Sequence, residues 1–184
     1  MPDRVIQVDD VRDAVADAVA AQPVMDIHTH LFSPEFGELL LWGVDELLTY
    51  HYLIAETMRS SAVGYDAYWS MSQAEQADLI WQTLFLDNSP VSEACRGVVT
   101  ALQAYGFDLS TRDLDSYRDA LRDVRVEDHI DRVFELANVE SVVMTNDPFD
   151  LVEQPVWLTE RAGDSRFLPA LRIDPLLNTY EDGG

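Results

Sequence analysis

Two β-favouring runs, Val24 to His30 and Ser141 to Thr145, stand more than a hundred residues apart in this chain, and nearly everything between them follows helical spacing. That separation constrains the fold more than any other feature. Ser141-Val142-Val143-Met144-Thr145 is a continuous β-favouring run closed by Asn146-Asp147-Pro148, the pattern of a buried parallel strand. Phe167 to Ile173, closed by Asp174-Pro175, reads as a third strand, with Pro169 removing one ladder donor. A helix near Val152 to Glu160 falls between the last two strands, and one built on Val11, Ala14, Val15, Ala18 and Val19 precedes the first. Helices alternating with strands specify an α/β fold with a parallel sheet. A single crossover needs far fewer residues than the first connection contains. The expected organisation is therefore a first helix and strand over 1–31, a helical insertion over 32–138, and two further strands over 139–184.

Within the insertion, local signals mark the helices. Asp45 is placed to cap a helix running through Leu47, Leu48 and Tyr52 to Met58, with Gly64 beyond its end. Ser72-Gln73-Ala74-Glu75 has capping-box spacing ahead of a stripe of Ala77, Ile80, Trp81 and Leu84. Ser89-Pro90 reads as a helix start, Val91, Cys95, Val98 and Leu102 as its buried face, and Gly106 as its end. Further helices are predicted around Leu114, Tyr117 and Leu121, and from Val126 to Ala137.

Charge excludes some functions. The 184 residues carry a net charge of −22, every basic residue is arginine, and aspartate outnumbers glutamate 22 to 12. Such a surface repels nucleic acid and anionic membranes, and the spread of acids along the chain suggests adaptation to high salt. No apolar run approaches the roughly 18 residues a membrane span needs. The acid-rich start Met1-Pro2-Asp3-Arg4 does not resemble a signal peptide, and one cysteine, Cys95, allows no intrachain disulfide. A cytoplasmic location is the expectation.

Asp26-Ile27-His28-Thr29-His30 carries the clearest chemistry. On an extended strand these alternate residues share a face, with successive members about 7 Å apart. Two imidazoles at a strand end can converge on one divalent metal, and zinc is a common partner of neutral imidazole. The opposing reading is a pair of polar residues on a half-exposed strand. Arg172 falls near the end of the third strand, where its planar guanidinium suits bidentate capture of a carboxylate; an ion pair with Asp147 or Asp174 is the structural alternative. Asn146 and Asp147 end the second strand and face the same mouth, although Asp147-Pro148 is also an ordinary turn. Tyr50-His51-Tyr52 sits in the insertion's first long helix, where packing is the default role. Two residues apart on a helix, Tyr50 and Tyr52 would project about 200° apart. His129 falls on the polar side of an acidic helix and reads as solvated.

Met25-Asp26-Ile27-His28-Thr29-His30-Leu31 resembles the first-strand motif of the amidohydrolase superfamily. Glu46-Leu47-Leu48-Thr49-Tyr50-His51-Tyr52, Ser89-Pro90, Met144-Thr145-Asn146-Asp147-Pro148 and Leu168-Pro169-Ala170-Leu171-Arg172-Ile173-Asp174-Pro175 narrow the likeness. Together they resemble the uronate (glucuronate) isomerases, over essentially the whole chain. The resemblance implies the N-terminal part of a metal-dependent (β/α)8 TIM barrel with a helical insertion after the first strand. It implies an intramolecular oxidoreductase of carbohydrate metabolism, specifically glucuronate catabolism. The reaction interconverts D-glucuronate with D-fructuronate and D-galacturonate with D-tagaturonate, by proton transfer through an enediol.

It further implies that His28 and His30 bind a divalent metal, usually zinc, that Tyr52 and Arg172 are catalytic, and that His30, Tyr52 and Arg172 meet the hexuronate. A complete barrel of this kind typically takes about 250 residues, and members of the family supply an aspartate and a nearby arginine from later strands. The chain thus matches only an N-terminal portion, and either homo-oligomerisation or association with a C-terminal part is expected. Two other functions fit the same motifs: a metal-dependent hydrolase of the superfamily, and a non-catalytic fragment that binds metal or uronate.

Overall fold

The computed structural model describes residues 7–40, 42–144, 147, 149–158, 163–170 and 172–178. The chain forms two compact units, one from Met1–Leu40 with Glu127–Gly184 and the other from Leu41–Val126. The predicted insertion, 32–138, is wider than the second unit, because residues 32–40 and the helix before the second strand both group with the sheet.

The first unit is α/β. A short 3-10 turn, Val8–Asp10, leads into α1 (Val11–Ala21); Asp10 holds the N-cap position, but its side chain makes no cap hydrogen bond. Three parallel strands, β1 (Val24–Asp26), β2 (Val139–Met144) and β3 (Phe167–Pro169), lie in the order β1-β2-β3. Met25 pairs with Ser141 and Asp26 with Val142, while Val142 pairs with Phe167 and Met144 with Pro169. Asn138 fixes the start of β2. Its backbone is left-handed, its carbonyl accepts from the Val24 amide at 2.9 Å, and its side chain donates to the Ala20 and Gln22 carbonyls at the end of α1. Asparagine is among the few residues other than glycine that adopt this conformation readily.

Both outer strands are shorter than predicted. β1 stops at Asp26 rather than His30, because the Asp26 side chain turns back to accept the His28 amide at 3.0 Å. β3 stops at Pro169 rather than Ile173, though the Ala170 amide still reaches the Met144 carbonyl at 3.1 Å. Pro169 costs the described sheet nothing, since β3 is an edge strand and proline is tolerated there. Of the helix predicted near Val152 to Glu160, the described residues form α9 (Gln154–Trp157), while Thr159 and Glu160 lie outside the described residues; α10 (Asp174–Asn178) follows β3.

α8 (Val126–Ala137) presses Ile130 and Phe134 into the core with Val142, Met144 and Phe167. Phe134 and Phe167 meet edge-on at 5.7 Å, and the Arg166 guanidinium lies 4.4 Å from the Phe134 ring centre. Arg166 also binds Asp131 at 2.6 Å and Asp164. Those bonds raise the guanidinium pKa and hold the Asp164 carboxyl below its usual range. Contrary to the solvated reading, His129 is half-buried, and desolvation pushes its pKa down to about 4.

The helical unit contains α2 (Val44–Leu48), α3 (His51–Ser60), α4 (Tyr65–Trp69), α5 (Gln73–Ile80), α6 (Glu93–Tyr105) and α7 (Leu114–Arg122). The single long helix predicted from Asp45 is two helices, broken at Thr49 and Tyr50. Gly43, at φ +116°, caps the first, and the extended Tyr50 caps the second. The capping box at Ser72 and Glu75 forms as predicted, and α5 runs on into a π-helical turn, Trp81–Leu86. α6 begins at Glu93, not at Pro90, because Ser92 accepts the Cys95 amide; Gly106 ends it in the left-handed conformation. Leu48, Leu53, Tyr68, Ala77, Ile80, Leu84, Cys95, Val98, Leu102 and Tyr117 form one core. Each large aliphatic side chain among them contributes about 1.5–3 kcal/mol through burial. Arg118 joins the packed helices, reaching Asp45, Asp78 and Asp115 at 2.8 Å each. Burial opposes its charge, but the three carboxylates outweigh that and keep its pKa above the ordinary value.

Candidate active site

Beyond β1 the chain makes two tight turns. Asp26 accepts the His28 amide, and Thr29 Oγ1 accepts the Leu31 amide at 2.9 Å. Both are side-chain-to-backbone turns that replace strand pairing. The two histidines therefore do not share the face of a strand. Turn geometry brings them together instead, with ring centroids 5.5 Å apart and the rings nearly perpendicular. Asp26, predicted to share that face, is used to hold the backbone.

His28 and His30 line a cleft of about 230 Å³ at the C-terminal ends of the strands, together with Thr29, Leu31, Phe32, Met144, Glu153 and Arg172. Parallel α/β sheets characteristically bind ligands at this end. Arg172 enters from the segment after β3, and its Nε also donates to Asp174 at 3.0 Å. The ion pair with Asp174 is thus the predicted alternative that the geometry contains, and the same side chain lines the cleft. The ion pair is solvent-exposed, with side chains 54 % and 62 % accessible, so its strength is small and a ligand carboxylate can compete for the guanidinium.

Glu153 was not singled out by sequence reasoning. Its Oε2 accepts the Asp147 amide at 2.8 Å, while Asp147 Oδ1 accepts the Phe149 amide and Asp150 Oδ1 accepts those of Val152 and Glu153. Asp147 therefore serves as the turn residue that its sequence context allowed; Asn146 lies outside the described residues. The spacing Asp150-Leu151-Val152-Glu153 was the available signal, since an aspartate three residues before a glutamate marks a capped turn.

Two imidazoles suit a divalent metal in spacing and in chemistry. Among the described residues, no group of three or more His, Cys, Asp or Glu side chains stands close enough to share an ion. The fit is therefore that of two ligands from a set that requires more.

Tyr52 lies in α3 of the helical unit, with 59 % of its surface exposed. Tyr50 and Tyr52 do not point to opposite sides of a helix, because Tyr50 is the extended cap residue. Their rings meet at 5.5 Å, and His51 stands 4.2 Å from one and 4.1 Å from the other. Among the described residues, no helix is long and apolar enough to cross a membrane.

No family model matches the chain, and a search of curated proteins gave no match. Among solved structures, the chain resembles the crystal structure of a uronate isomerase from Bacillus halodurans C-125. Sequence identity is 56%, the TM-score is 0.92, and the match takes in 97% of this chain and 42% of that one. The chain thus spans less than half the length of the protein it matches, as an N-terminal portion would. Agreement at this level in sequence and backbone together places the chain in the uronate isomerase family.

Proposed function

We propose that this chain supplies part of the active site of a uronate isomerase, acting on D-glucuronate and D-galacturonate. The observation that carries the reading is the convergence of His28, His30 and Arg172 on one cleft, in a chain that belongs to this family. Arg172 binds the substrate carboxylate through charge-assisted hydrogen bonds. Isomerisation moves a proton from C2 to C1 through an enediol, and Tyr52 is the proposed acid–base group. His30 contacts the substrate, and with His28 it would hold a divalent metal, most suitably zinc. Such a metal would polarise the substrate carbonyl when bound. The three parallel strands are, in this reading, the first of a (β/α)8 barrel. Closure would come from association with the remaining strands, and the assembly would act in the cytoplasm, with a homo-oligomer as a further form.

The share of the matched protein that the chain spans favours one second reading, a fragment that binds uronate without turning it over. A single assay separates them. Incubation with D-glucuronate in D2O washes deuterium into C2 if an enediol forms, whereas binding alone leaves the proton in place. Arg172→Met should lower kcat/KM by about ten- to a hundredfold, the usual effect of losing a hydrogen bond to a charged group. Deuterium incorporation together with an unchanged kcat/KM would make Arg172 a structural partner of Asp174. No exchange and no uronate binding would overturn the proposal.

A further inference from the structure

We infer that Glu153 is a specificity-determining residue of the cleft, accepting a hydrogen bond from a ligand hydroxyl and so selecting polyhydroxylated acids over plain carboxylates. The inference rests on the proposed uronate reading and names the group that reads the sugar.

The cleft holds a guanidinium, two imidazoles and a carboxylate. Arg172 matches the acid end of a ligand, but a cation alone accepts any carboxylate of suitable size. An ionised carboxylate has two oxygens, roughly four acceptor sites, and no donor. It therefore favours a hydroxyl and opposes a second anion. Among the described residues, Glu153 spends one contact on the Asp147 amide through Oε2, which leaves acceptor capacity on the same carboxylate.

That contact also preorganises the group. Glu153 Oε2 accepts the Asp147 amide, the Asp147 carbonyl accepts the Asp150 amide at 3.1 Å, and Asp150 Oδ1 accepts the Glu153 amide, so these three residues are tied to one another. The carboxylate is thereby anchored at the rim before a ligand arrives, and little side-chain freedom remains to be lost on binding. Glu153 is half-buried, so a hydrogen bond made there is less exposed to competing water than one made by a surface glutamate.

Calorimetric titration of the whole chain with D-glucuronate and with hexanoate tests this, because both are six-carbon monocarboxylates and only the first carries hydroxyls. Glu153→Gln keeps the size and one acceptor for the Asp147 amide but removes the charge. The expected result is glucuronate binding about tenfold weaker or more, with hexanoate unchanged or tighter. A residue that merely clasps the loop would weaken both ligands together or neither, and either outcome overturns the inference while leaving the uronate reading intact. Failure of the parent chain to bind glucuronate would overturn both.

Discussion

The imidazoles of His28 and His30 meet edge to face, with centroids 5.5 Å apart and planes at 85°. Neither ring is held there by strand pairing. The backbone leaves β1 at Asp26 and is bent by two side-chain caps, so the relative placement of the rings depends on Asp26 and Thr29 as much as on the histidines themselves. A zinc ion stands about 2 Å from each ligating nitrogen, so centroids of two ligating rings fall on the order of 5 Å apart. The observed spacing agrees.

Zinc titration followed by metal analysis should therefore distinguish the parent chain from the His28→Ala, His30→Ala double variant. Bound zinc should be lost in the variant, and equal stoichiometry in the two would remove the histidines from the metal site. Asp26→Ala should weaken zinc binding without removing either ligand, since it frees the His28 amide and loosens the turn. If Asp26→Ala binds zinc as the parent does, the turn contributes nothing to the site.

Tyr52, and not Tyr50, is the expected proton-transfer group. In a form of the protein competent for turnover, Tyr52→Phe should reduce kcat about a hundredfold or more, the usual size of a lost acid–base group, with KM little changed. Tyr50→Phe should alter turnover little. The contact between the two rings sharpens the comparison, because each variant keeps its aromatic face and loses only a hydroxyl. The opposite pattern would assign the proton shuttle to Tyr50.

The fold was legible where hydrophobic period and caps agreed. The run of Val142, Val143 and Met144 announced β2, and Ser72 with Glu75 announced α5. It was illegible where a side chain redirected the backbone. Asp26 reads as a strand residue by its spacing, and it is one, but its side chain also accepts the His28 amide and ends the strand there. Thr49 and Tyr50 lie within a run of good apolar spacing, yet the chain breaks there, since Gly43 and the extended Tyr50 each start a helix of their own. For the site, residue types chosen by chemistry led to His28, His30 and Arg172. Glu153 escaped because its place at the cleft follows from its hydrogen bonds to Asp147 and Asp150, which no periodicity encodes.

His129 should make the protein acid-sensitive in a defined window. Desolvation lowers its pKa in the fold to about 4, from an ordinary value near 6.5. Between those values the unfolded chain binds a proton that the folded chain does not, so stability falls as pH drops through the window and levels off below it. Urea unfolding of the parent and of His129→Gln at several pH values isolates this contribution, since the carboxylates are common to both. The slope of stability against pH between about 4 and 6.5 should be shallower in the variant. Equal slopes would mean that His129 is as well solvated in the fold as out of it.

Salt should stabilise this chain, and the balance of its charges gives the sign. The 34 acidic residues face only 12 arginines, and several arginines each answer more than one carboxylate: Arg118 joins Asp45, Asp78 and Asp115, and Arg166 joins Asp131 and Asp164. Acids outnumber arginines by nearly three to one, so net repulsion remains beyond such pairing, and compacting the chain brings like charges together. Raising ionic strength from 0.1 M to 1 M shortens the screening length from about 10 Å to about 3 Å. That removes most of the long-range repulsion, while close, partly buried pairs such as Arg118 with Asp45 are weakened much less. Tm should accordingly rise with sodium chloride across that range, most steeply at the low end, where repulsion is least screened. Arg118→Met should lower Tm at every salt concentration, because it leaves three carboxylates facing one another at the junction of the packed helices. A Tm that fell with added salt would show that attractive pairs, rather than net repulsion, dominate the electrostatics of the folded chain.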